Sequence, residues 1–232
     1  MFPVAILAGG LATRLRPITE TIPKALIEVA GKPFIFHQLD YLKAQGISRI
    51  VLCIGYLGGM IRELVGDGSA WGLNVSYSMD GEILLGTGGA LKQALPLLGE
   101  SFFILYGDSY LPINFSDVQQ SFNNSKKTGL MTVLENQNRW DKSNVLFANG
   151  EIIEYNKTIT KDEMHYIDYG LGVIKSIVFE SYPDNLPFDL SKVYNQLSLQ
   201  KQLAGYEVFE RFYEIGSHQG ILDTENYLIE NK

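Results

Sequence analysis

Residues 4–33 read VAILAGGLATRLRPITETIPKALIEVAGKP. The segment opens with an apolar run, Val4–Leu7, which is typical of a buried β-strand. Two glycines follow, and backbone amides beside a glycine can approach a ligand closely because no Cβ intervenes. Such amides bind anions, and Arg14 and Lys24 add fixed positive charges of the kind that a triphosphate needs. The segment therefore predicts a strand that leads into a phosphate-binding loop.

A longer pattern runs through this loop. Its members are Ala8–Gly10, Thr13–Leu15, Pro17, Pro23–Lys24, Leu26 and Gly31–Pro33. In spacing and identity the pattern resembles the nucleotide-binding signature of the sugar-1-phosphate nucleotidyltransferases, A-G-G-x-G-T-R-L-x-P followed by P-K-x-L and G-K-P. Ala12 departs from this signature, because the family often has a third glycine there. We expect the loop to keep its shape around this small residue.

The composition is that of an ordinary globular domain. The chain has 232 residues, of which 46% are hydrophobic and 19% charged, so we treat residues 1–232 as one domain. The net charge of −7 argues against nucleic-acid binding, which needs a basic surface, but not against an anionic substrate held by a few cations. No apolar stretch has transmembrane length and no signal-peptide pattern is visible, so we expect a cytoplasmic protein without membrane contact. The single cysteine, Cys53, lies in an apolar run and is expected to be buried.

Strand and helix patterns alternate through the first half of the chain. The predicted strands are Val4–Leu7, Arg49–Ile54, Leu73–Tyr77 and Ser101–Tyr106, and the predicted helices are Phe34–Gln45, a segment through Met60 and Leu64, and one from the glycines after Leu85 to Leu97. This alternation predicts an α/β fold with a mostly parallel sheet covered on both faces. Ligands bind at the carboxyl ends of such strands, where Gly9 and Asp108 both lie.

The second half has a different pattern. The predicted strands are Met131–Glu135, Val145–Ala148, Glu151–Tyr155, Ile167–Ile174 and Gly205–Phe209, and the predicted helices lie near Leu190–Gln200 and Gly220–Ile229. Asn149-Gly150 predicts a hairpin turn. We interpret residues 1–130 as a nucleotide half and residues 131–232 as an acceptor half of the same domain. The resemblance implies a three-layer α/β/α Rossmann-like fold with a mostly parallel mixed sheet.

The segment Leu84–Leu91 resembles the family's L-G-T-A-G-A-L loop, which lies against the base and ribose, and Thr87 is expected to cap the following helix. The nucleotide-binding residues that the resemblance implies are Leu7, Ala8, Gly9, Gly10, Thr13, Gly86, Thr87 and Gly88. Glu82 or Asp80 could accept hydrogen bonds from the N1–H and amine of guanine, whereas uracil offers one such donor. These acids favour GTP slightly, although an acid so placed can equally face water.

A candidate metal site combines two distant acids. Asp108 follows an apolar strand and a glycine, where a lone aspartate is commonly a turn residue, but in the family's pattern this element supplies a Mg²⁺ ligand. Mg²⁺ favours one or two carboxylates plus phosphate oxygens, so a second acid is expected. The segment Phe212–Ser217 resembles the family's W-x-D-I-G-T element, whose acid is the second ligand. Glu214 stands at that position in place of aspartate.

The acceptor side rests on three further resemblances. Ile152–Lys157 resembles the family's F-x-E-K element, in which Lys157 would hold the sugar phosphate and Asn156 replaces the usual glutamate. Ile167–Leu171 resembles the strand that lines the sugar pocket, with Asp168 in place of asparagine. The implied sugar-phosphate-binding residues are Asn144, Asn156, Lys157, Asp168 and Gly170.

Taken across nearly the whole chain, the resemblance implies a Mg²⁺-dependent enzyme that condenses an NTP with a sugar 1-phosphate and releases pyrophosphate. Arg14, Lys24 and Asp108 are the implied catalytic residues. The details look most like heptose-1-phosphate guanylyltransferases. A UTP- or CTP-dependent member acting on an amino sugar phosphate and a non-catalytic sugar-nucleotide-binding subunit are alternatives. The sequence leaves open whether the protein is a monomer or a homo-oligomer.

Overall fold

The computed structural model describes residues 1–231. Its strands are β1 (Val4–Leu7), β2 (Glu28–Val29), β3 (Lys32–Pro33), β4 (Arg49–Ile54), β5 (Asn74–Met79), β6 (Ser101–Tyr106), β7 (Ser109–Tyr110), β8 (Gly129–Glu135), β9 (Val145–Ala148), β10 (Glu151–Tyr155), β11 (Tyr166–Lys175), β12 (Leu203–Val208) and β13 (Tyr213–Glu214). Its α-helices are α1 (Phe34–Ala44), α2 (Gly58–Val65), α3 (Gly86–Leu98), α4 (Phe115–Ser125), α5 (Leu190–Leu199) and α6 (His218–Glu230). Short 3₁₀ helices fill the loop after β1, at Thr13–Leu15, Ile18–Glu20 and Lys24–Leu26.

A mixed sheet forms the centre of the molecule, in the order β5-β4-β1-β6-β11-β8-β12-β10-β9. In the nucleotide half, the central-sheet strands β5, β4, β1 and β6 are parallel, as the strand–helix alternation predicts. In the acceptor half β11 runs antiparallel to β6 and β8, while β12 is parallel to β8. The parallel character is therefore confined mainly to the nucleotide half, because the acceptor half contains hairpins such as β9–β10.

Helices cover the sheet from both faces. In β1, Val4 and Ile6 belong to one hydrophobic cluster, whereas Ala5 belongs to another, as the two-residue period of a strand requires. The first cluster includes apolar residues of α1, α2 and α4. The second includes apolar residues of α3 and α5. Cys53 is buried in the second cluster, as the sequence predicts.

A third, smaller cluster lies under the loop that follows β1. It contains Leu15 and Ile27 from the loop, Phe34 at the start of α1, and Ile215 and Leu228 from the C-terminal part of the chain. Leu15 and Ile215 are fully buried, so their packing fixes the inner side of the loop while its polar residues face outward. The same contacts bring residues near position 215 to the carboxyl end of β1.

Helix α4 has no counterpart among the sequence predictions. Its composition, FSDVQQSFNNS, is largely polar, and only Phe115, Val118 and Phe122 face the core. A start signal is nevertheless present, because Asn114 Oδ1 accepts a hydrogen bond from Ser116 N–H at 2.8 Å. Strand β12 also starts and ends earlier than predicted, since it covers Leu203–Val208 and leaves Phe209 outside at 84% exposure.

The turns after β1 and β6 touch at the carboxyl end of the sheet. Gly107 N–H donates to the carbonyl oxygen of Leu7 at 2.9 Å. A Cβ on Gly107 would lie 2.9 Å from both the Cβ of Ala8 and the oxygen of Leu7, which is closer than real Cβ atoms come. Glycine at this position is therefore required by the close approach of two turns. Within residues 1–231, no helix is both long and apolar enough to cross a bilayer.

We expect Gly107→Ala to lower the free energy of unfolding by about 1–3 kcal/mol, because a Cβ there must push the two turns apart. The matched control is Gly10→Ala in the neighbouring loop, where a Cβ would meet nothing within 4 Å. Urea unfolding followed by circular dichroism measures both variants. Equal unfolding free energies for the two variants would contradict this account of the contact.

Candidate active site

A cavity of about 270 Å³ opens at the carboxyl ends of the parallel strands. Its wall includes Leu7, Ala8, Gly9, Gly10, Ala12, Lys24, Asp80, Leu84, Gly86, Thr87, Tyr106 and Asp108. Most of the residues predicted to bind a nucleotide are therefore gathered around one space. Across residues 1–231, the lining does not include Thr13, Arg14, Glu82 or Gly88.

Backbone pairing places the two predicted metal-binding acids beside each other. Glu214 pairs with Ser109 in the β7–β13 ladder, and Ile215 N–H donates to the carbonyl oxygen of Asp108 at 2.9 Å. Burial raises the pKa of Glu214, and the charge of Asp108 acts in the same direction. The structure thus brings together two acids that are more than a hundred residues apart in sequence.

Two cations oppose these acids. The charges of Arg14 and Lys24 both act to lower the pKa of Glu214. The ammonium of Lys24 donates to Asp108 Oδ2 at 2.6 Å, and the side chains are only 17% and 25% exposed. This ion pair is therefore partly shielded from water, where a charge-assisted hydrogen bond is stronger than at an open surface.

Arg14 reaches the acids from the first 3₁₀ helix of the loop. A Cβ on Gly216 would lie 3.2 Å from Arg14 Nη2 and 3.4 Å from Glu214 Oε1, so the guanidinium and the carboxylate face the same small gap. The neighbouring Leu15 is fully buried and holds this helix in place. An exposed guanidinium on a fixed backbone is suited to an anion that enters from solvent.

Ala12 adopts the backbone conformation that glycine prefers. Its φ is 47° and its ψ is 45°, which lie in the left-handed region. This conformation costs a residue with a Cβ about 1–2 kcal/mol. It explains why the family pattern often has glycine there. The turn is held by Thr19, whose hydroxyl donates to the carbonyl oxygen of Ala12 at 2.9 Å.

Of the two acids considered for base recognition, Asp80 lines the cavity and Glu82 is exposed outside its wall. Asp80 Oδ2 accepts a hydrogen bond from Leu85 N–H at 3.1 Å, which orients the carboxylate. Burial raises the pKa of Asp80, whereas the hydrogen bond from Leu85 N–H acts to lower it. The sequence hypothesis about the base therefore attaches to Asp80 rather than to Glu82.

The prediction that Thr87 caps α3 is wrong. Leu85 occupies the N-cap position, where it makes no side-chain capping bond, and Thr87 lies inside the helix. Its Oγ1 accepts a hydrogen bond from Leu190 N–H at 2.8 Å, which comes from the acceptor half. A contact this distant in sequence cannot be read from the local pattern.

We call residues 186–190 the strap, because they cross the N-terminus of α3. The carbonyl oxygen of Phe188 accepts hydrogen bonds from Gly88 N–H at 2.9 Å and Gly89 N–H at 3.3 Å. A Cβ on Gly88 would lie 2.3 Å from the ring of Phe188. The glycine at 88 thus makes room for the strap, while Gly86 remains on the cavity wall.

The predicted sugar-phosphate residues also lie together. Asn144 Oδ1 accepts from Asp168 N–H at 3.0 Å, and its carbonyl oxygen accepts from Asn156 N–H at 2.9 Å. Asp168 Oδ1 accepts from Gly170 N–H at 3.0 Å. Burial raises the pKa of Asp168 to about 6, while Gly170 N–H and the charge of Lys157 oppose the rise. Asn144 is therefore the centre that joins these segments.

Asn156 uses its side chain locally. Its Oδ1 accepts hydrogen bonds from Thr158 N–H at 3.1 Å and Ile159 N–H at 2.8 Å, which closes a turn after β10. The side-chain oxygen of Asn156 is therefore already hydrogen-bonded within its own turn. The family's glutamate has a carboxylate at this position instead of an amide. The turn sets the backbone direction at Lys157.

Two residues beside this group escaped the sequence analysis. Tyr106 lines the cavity, and burial raises its pKa well above the ordinary value, with the charges of Asp168 and Asp189 acting in the same direction. Asp189 caps α5, since its Oδ1 accepts from Ser191 N–H at 2.7 Å. Burial acts to raise the pKa of Asp189, but its hydrogen bonds and the charge of Lys157 hold it below the ordinary value. A capping aspartate before an apolar helix could have been found from the sequence, whereas its position near Lys157 could not.

A family model described as Nucleotidyl transferase matches residues 4–144. The chain belongs to this family. The matched segment contains the loop after β1, the cavity wall up to Asp108, and Asn144.

Two curated relatives differ in the nucleotide that their names state. The N-acetylmuramate α-1-phosphate uridylyltransferase of Neisseria meningitidis is 44% identical over 117 residues, which span 50% of this chain and 51% of that protein. The D-glycero-α-D-manno-heptose 1-phosphate guanylyltransferase of Campylobacter jejuni is 28% identical over 229 residues, 97% of this chain and 98% of that protein. The match to the first relative thus spans about half its length.

Solved structures share the fold at low sequence identity. HddC from Yersinia pseudotuberculosis, solved with GMP-PN, has a TM-score of 0.80 and 23% identity, with 98% of this chain and 100% of that chain covered. The inositol-1-phosphate CTP transferase from T. maritima has a TM-score of 0.77 and 20% identity, with 99% and 95% covered. These likenesses extend the shared fold across both halves of the chain.

We expect Asp168→Asn to raise the free energy of unfolding by about 3 kcal/mol near pH 7.5 and to change it little near pH 4. The pKa of Asp168 is raised to about 6 from 3.8, so its ionisation destabilises the folded state as the pH rises through this interval. Asparagine keeps the oxygen that accepts from Gly170 N–H but cannot ionise. Guanidinium chloride titrations at both pH values test this, with exposed Asp162→Asn as the control. A gain of equal size near pH 4 would show that charge is not the cause.

Proposed function

We propose that this protein transfers a nucleotidyl group from a nucleoside triphosphate to a sugar 1-phosphate, on a three-layer α/β/α Rossmann-like fold. The products are pyrophosphate and a nucleoside diphosphate sugar. The observation that carries the proposal is the group of charged side chains Arg14, Lys24, Asp108 and Glu214, of which Lys24 and Asp108 line a cavity together with residues of the predicted phosphate loop. Relatives named as sugar-1-phosphate nucleotidyltransferases support the same reaction.

The reaction needs positioned charge more than acid–base chemistry. A phosphate oxygen of the sugar 1-phosphate attacks the α-phosphorus of the triphosphate, a new P–O bond forms, and the bond to pyrophosphate breaks. The attacking oxygen is already ionised at neutral pH, so no general base is required. Catalysis therefore comes from alignment of the two phosphates and from neutralisation of charge on the α-phosphoryl oxygens.

The side chains divide this work by position. Arg14, exposed on a fixed loop, would contact the triphosphate and the departing pyrophosphate. Lys24 lines the cavity and would contact the α-phosphate. Lys157 lies near Asp168 and Asp189 on the acceptor side, where it would receive the sugar phosphate.

The acid pair fits a divalent cation of the Mg²⁺ type. Asp108 on the cavity wall and the neighbouring Glu214 would supply two carboxylates, and a hard cation accepts such oxygens together with phosphate oxygens. Among residues 1–231 no group of three or more potential metal-binding side chains converges, so the remaining ligands would come from substrate and water. Bound Mg²⁺ would neutralise charge on the phosphate oxygens.

For the base, we propose GTP. Asp80 can accept from the N1–H and amine of guanine, and the relative that matches nearly the whole chain is named as a guanylyltransferase. A second candidate is UTP with an amino sugar phosphate, because the relative with 44% identity is named as a uridylyltransferase. A non-catalytic sugar-nucleotide sensor is disfavoured because it has little need of two cations and two acids together. We propose that the reaction takes place in the cytoplasm.

The deciding experiment is pyrophosphate release with four NTPs against a panel of sugar 1-phosphates. We expect turnover with GTP to be fastest, and Asp80→Asn to reduce the preference for GTP over UTP, because guanine would then meet an amide in place of a carboxylate. Asparagine can still accept from Leu85 N–H, so the loop should keep its shape. Glu82→Gln is the paired control and should leave the preference unchanged. Faster turnover of UTP or CTP by the wild type refutes the choice of base, and no turnover with any pair refutes the reaction.

We expect Arg14→Ala to lower kcat by about 10²–10³-fold, because its charge matters most while the α-phosphoryl group is transferred. The matched control is Arg16→Ala, two residues away, whose exposed side chain pairs with Glu20 at 3.9 Å. Steady-state pyrophosphate release gives kcat and KM for both variants. Near-normal kcat and kcat/KM in Arg14→Ala would exclude Arg14 from the catalytic groups.

A further inference from the structure

The ion pair between Lys24 and Asp108 uses the carboxylate that the proposed function assigns to the metal. Lys24 Nζ lies 2.6 Å from Asp108 Oδ2, within the cavity wall that both residues help to form. A divalent cation bound to the same oxygen would lie next to the ammonium and be repelled by it. In the ligand-free protein the lysine therefore occupies the position of a competing cation.

The backbone under Lys24 is fixed, so only the side chain has freedom to move. Leu26 N–H donates to Pro23 O at 2.9 Å, and Ile27 N–H donates to Lys24 O at 3.0 Å. Ala25 is 2% exposed. A lysine has four rotatable side-chain bonds, so its ammonium can leave Asp108 for a nearby phosphate without any change in the loop.

The formal charges of the side chains grouped around Asp108 nearly balance without a ligand. Arg14 and Lys24 contribute two positive charges, and Asp108 and Glu214 contribute two negative charges. Asp141 also acts on Glu214 and adds negative charge at the edge of the group. A divalent cation alone upsets this balance next to Lys24, and a triphosphate alone upsets it next to two carboxylates. When both enter, each offsets the charge that the other brings.

We propose that Lys24 is an internal counterion that keeps divalent cations off Asp108 until a triphosphate arrives. Metal and triphosphate then bind cooperatively, and the lysine ammonium passes from the carboxylate to a phosphate as they bind. The inference rests on the proposed function, which makes Asp108 a metal ligand. The inference adds that the nucleotide-free protein has a low affinity for the metal because Lys24 is paired with Asp108.

Linkage makes this coupling measurable from either ligand. If the triphosphate raises the affinity for metal by some factor, the metal raises the affinity for triphosphate by the same factor. Removal of the lysine charge should strengthen metal binding to the nucleotide-free protein and should reduce this factor. The neutral side chain of methionine is similar in length and keeps the packing of the stem.

The experiment titrates Mn²⁺ into the full-length protein without nucleotide, with free Mn²⁺ measured by electron paramagnetic resonance. We expect Lys24→Met to bind Mn²⁺ about tenfold or more tightly than the wild type, because a unit charge at contact distance is removed. Lys24→Arg, which keeps the charge, should resemble the wild type. Lys92→Met removes a similarly shielded lysine, which pairs with Asp184 at 3.2 Å outside the cavity wall, and should leave Mn²⁺ binding unchanged.

Two further variants locate the effect. Asp108→Asn in the Lys24→Met background should abolish the gain in Mn²⁺ affinity, and Lys24→Gln provides a second neutral side chain should the methionine variant unfold. The affinity for GTP, measured with Mn²⁺ and with a chelator, should depend less on metal in Lys24→Met than in the wild type. Equal Mn²⁺ affinities for the wild type and the neutral Lys24 variants overturn the proposal.

The outcome is separable from that of the proposed function. An enzyme that releases pyrophosphate but shows no effect of Lys24 on Mn²⁺ affinity loses only the counterion role. A protein that shows the expected Mn²⁺ affinities but turns over no NTP with any sugar 1-phosphate keeps the counterion role and loses the reaction.

Discussion

The contact between the turns after β1 and β6 is the constraint on which the site depends. Gly107 brings its backbone against Leu7 and Ala8, where any side chain would collide. The first turn leads into the loop that carries Lys24, and the second continues directly into Asp108. Their 2.6 Å ion pair is possible because the two turns touch. The position of this ion pair is thus set by the close packing of the two backbone turns.

Two further interactions position the other two charged side chains, Glu214 and Arg14, next to this contact. The β7–β13 ladder places Glu214 beside the residue that follows Asp108. The small hydrophobic cluster joins Leu15 of the loop to Ile215 and so fixes Arg14 against the same place. Each charged side chain therefore stands next to a buried anchor one residue away. Fixed backbones of this kind reduce the reorganisation needed when charge develops on a phosphoryl group.

The sequence predicted the parts of the fold that follow from apolar periodicity. The parallel strands are short apolar runs, and each was placed within about one or two residues of its observed bounds. Helix α4 was missed because its polar residues conceal three apolar contacts. The resemblance predicted a set of candidate site residues. It did not predict which other residues of the chain these candidates contact. The bond between Thr87 and Leu190 and the packing of Phe188 against Gly88 join the two halves. Asp189 beside Lys157 joins two separate segments of the acceptor half, and no local pattern encodes any of these contacts.

The strap has a consequence for how such enzymes could be recombined. Phe188 belongs to the acceptor half, yet its carbonyl oxygen accepts hydrogen bonds from the amides of Gly88 and Gly89 in the first turn of α3 in the nucleotide half. A chimaera that exchanged acceptor halves between relatives would also exchange the strap that packs on the N-terminus of α3. The two halves of this chain are therefore not structurally separable modules, and a crossover that folds correctly would have to keep residues 86–89 and 186–190 from one parent.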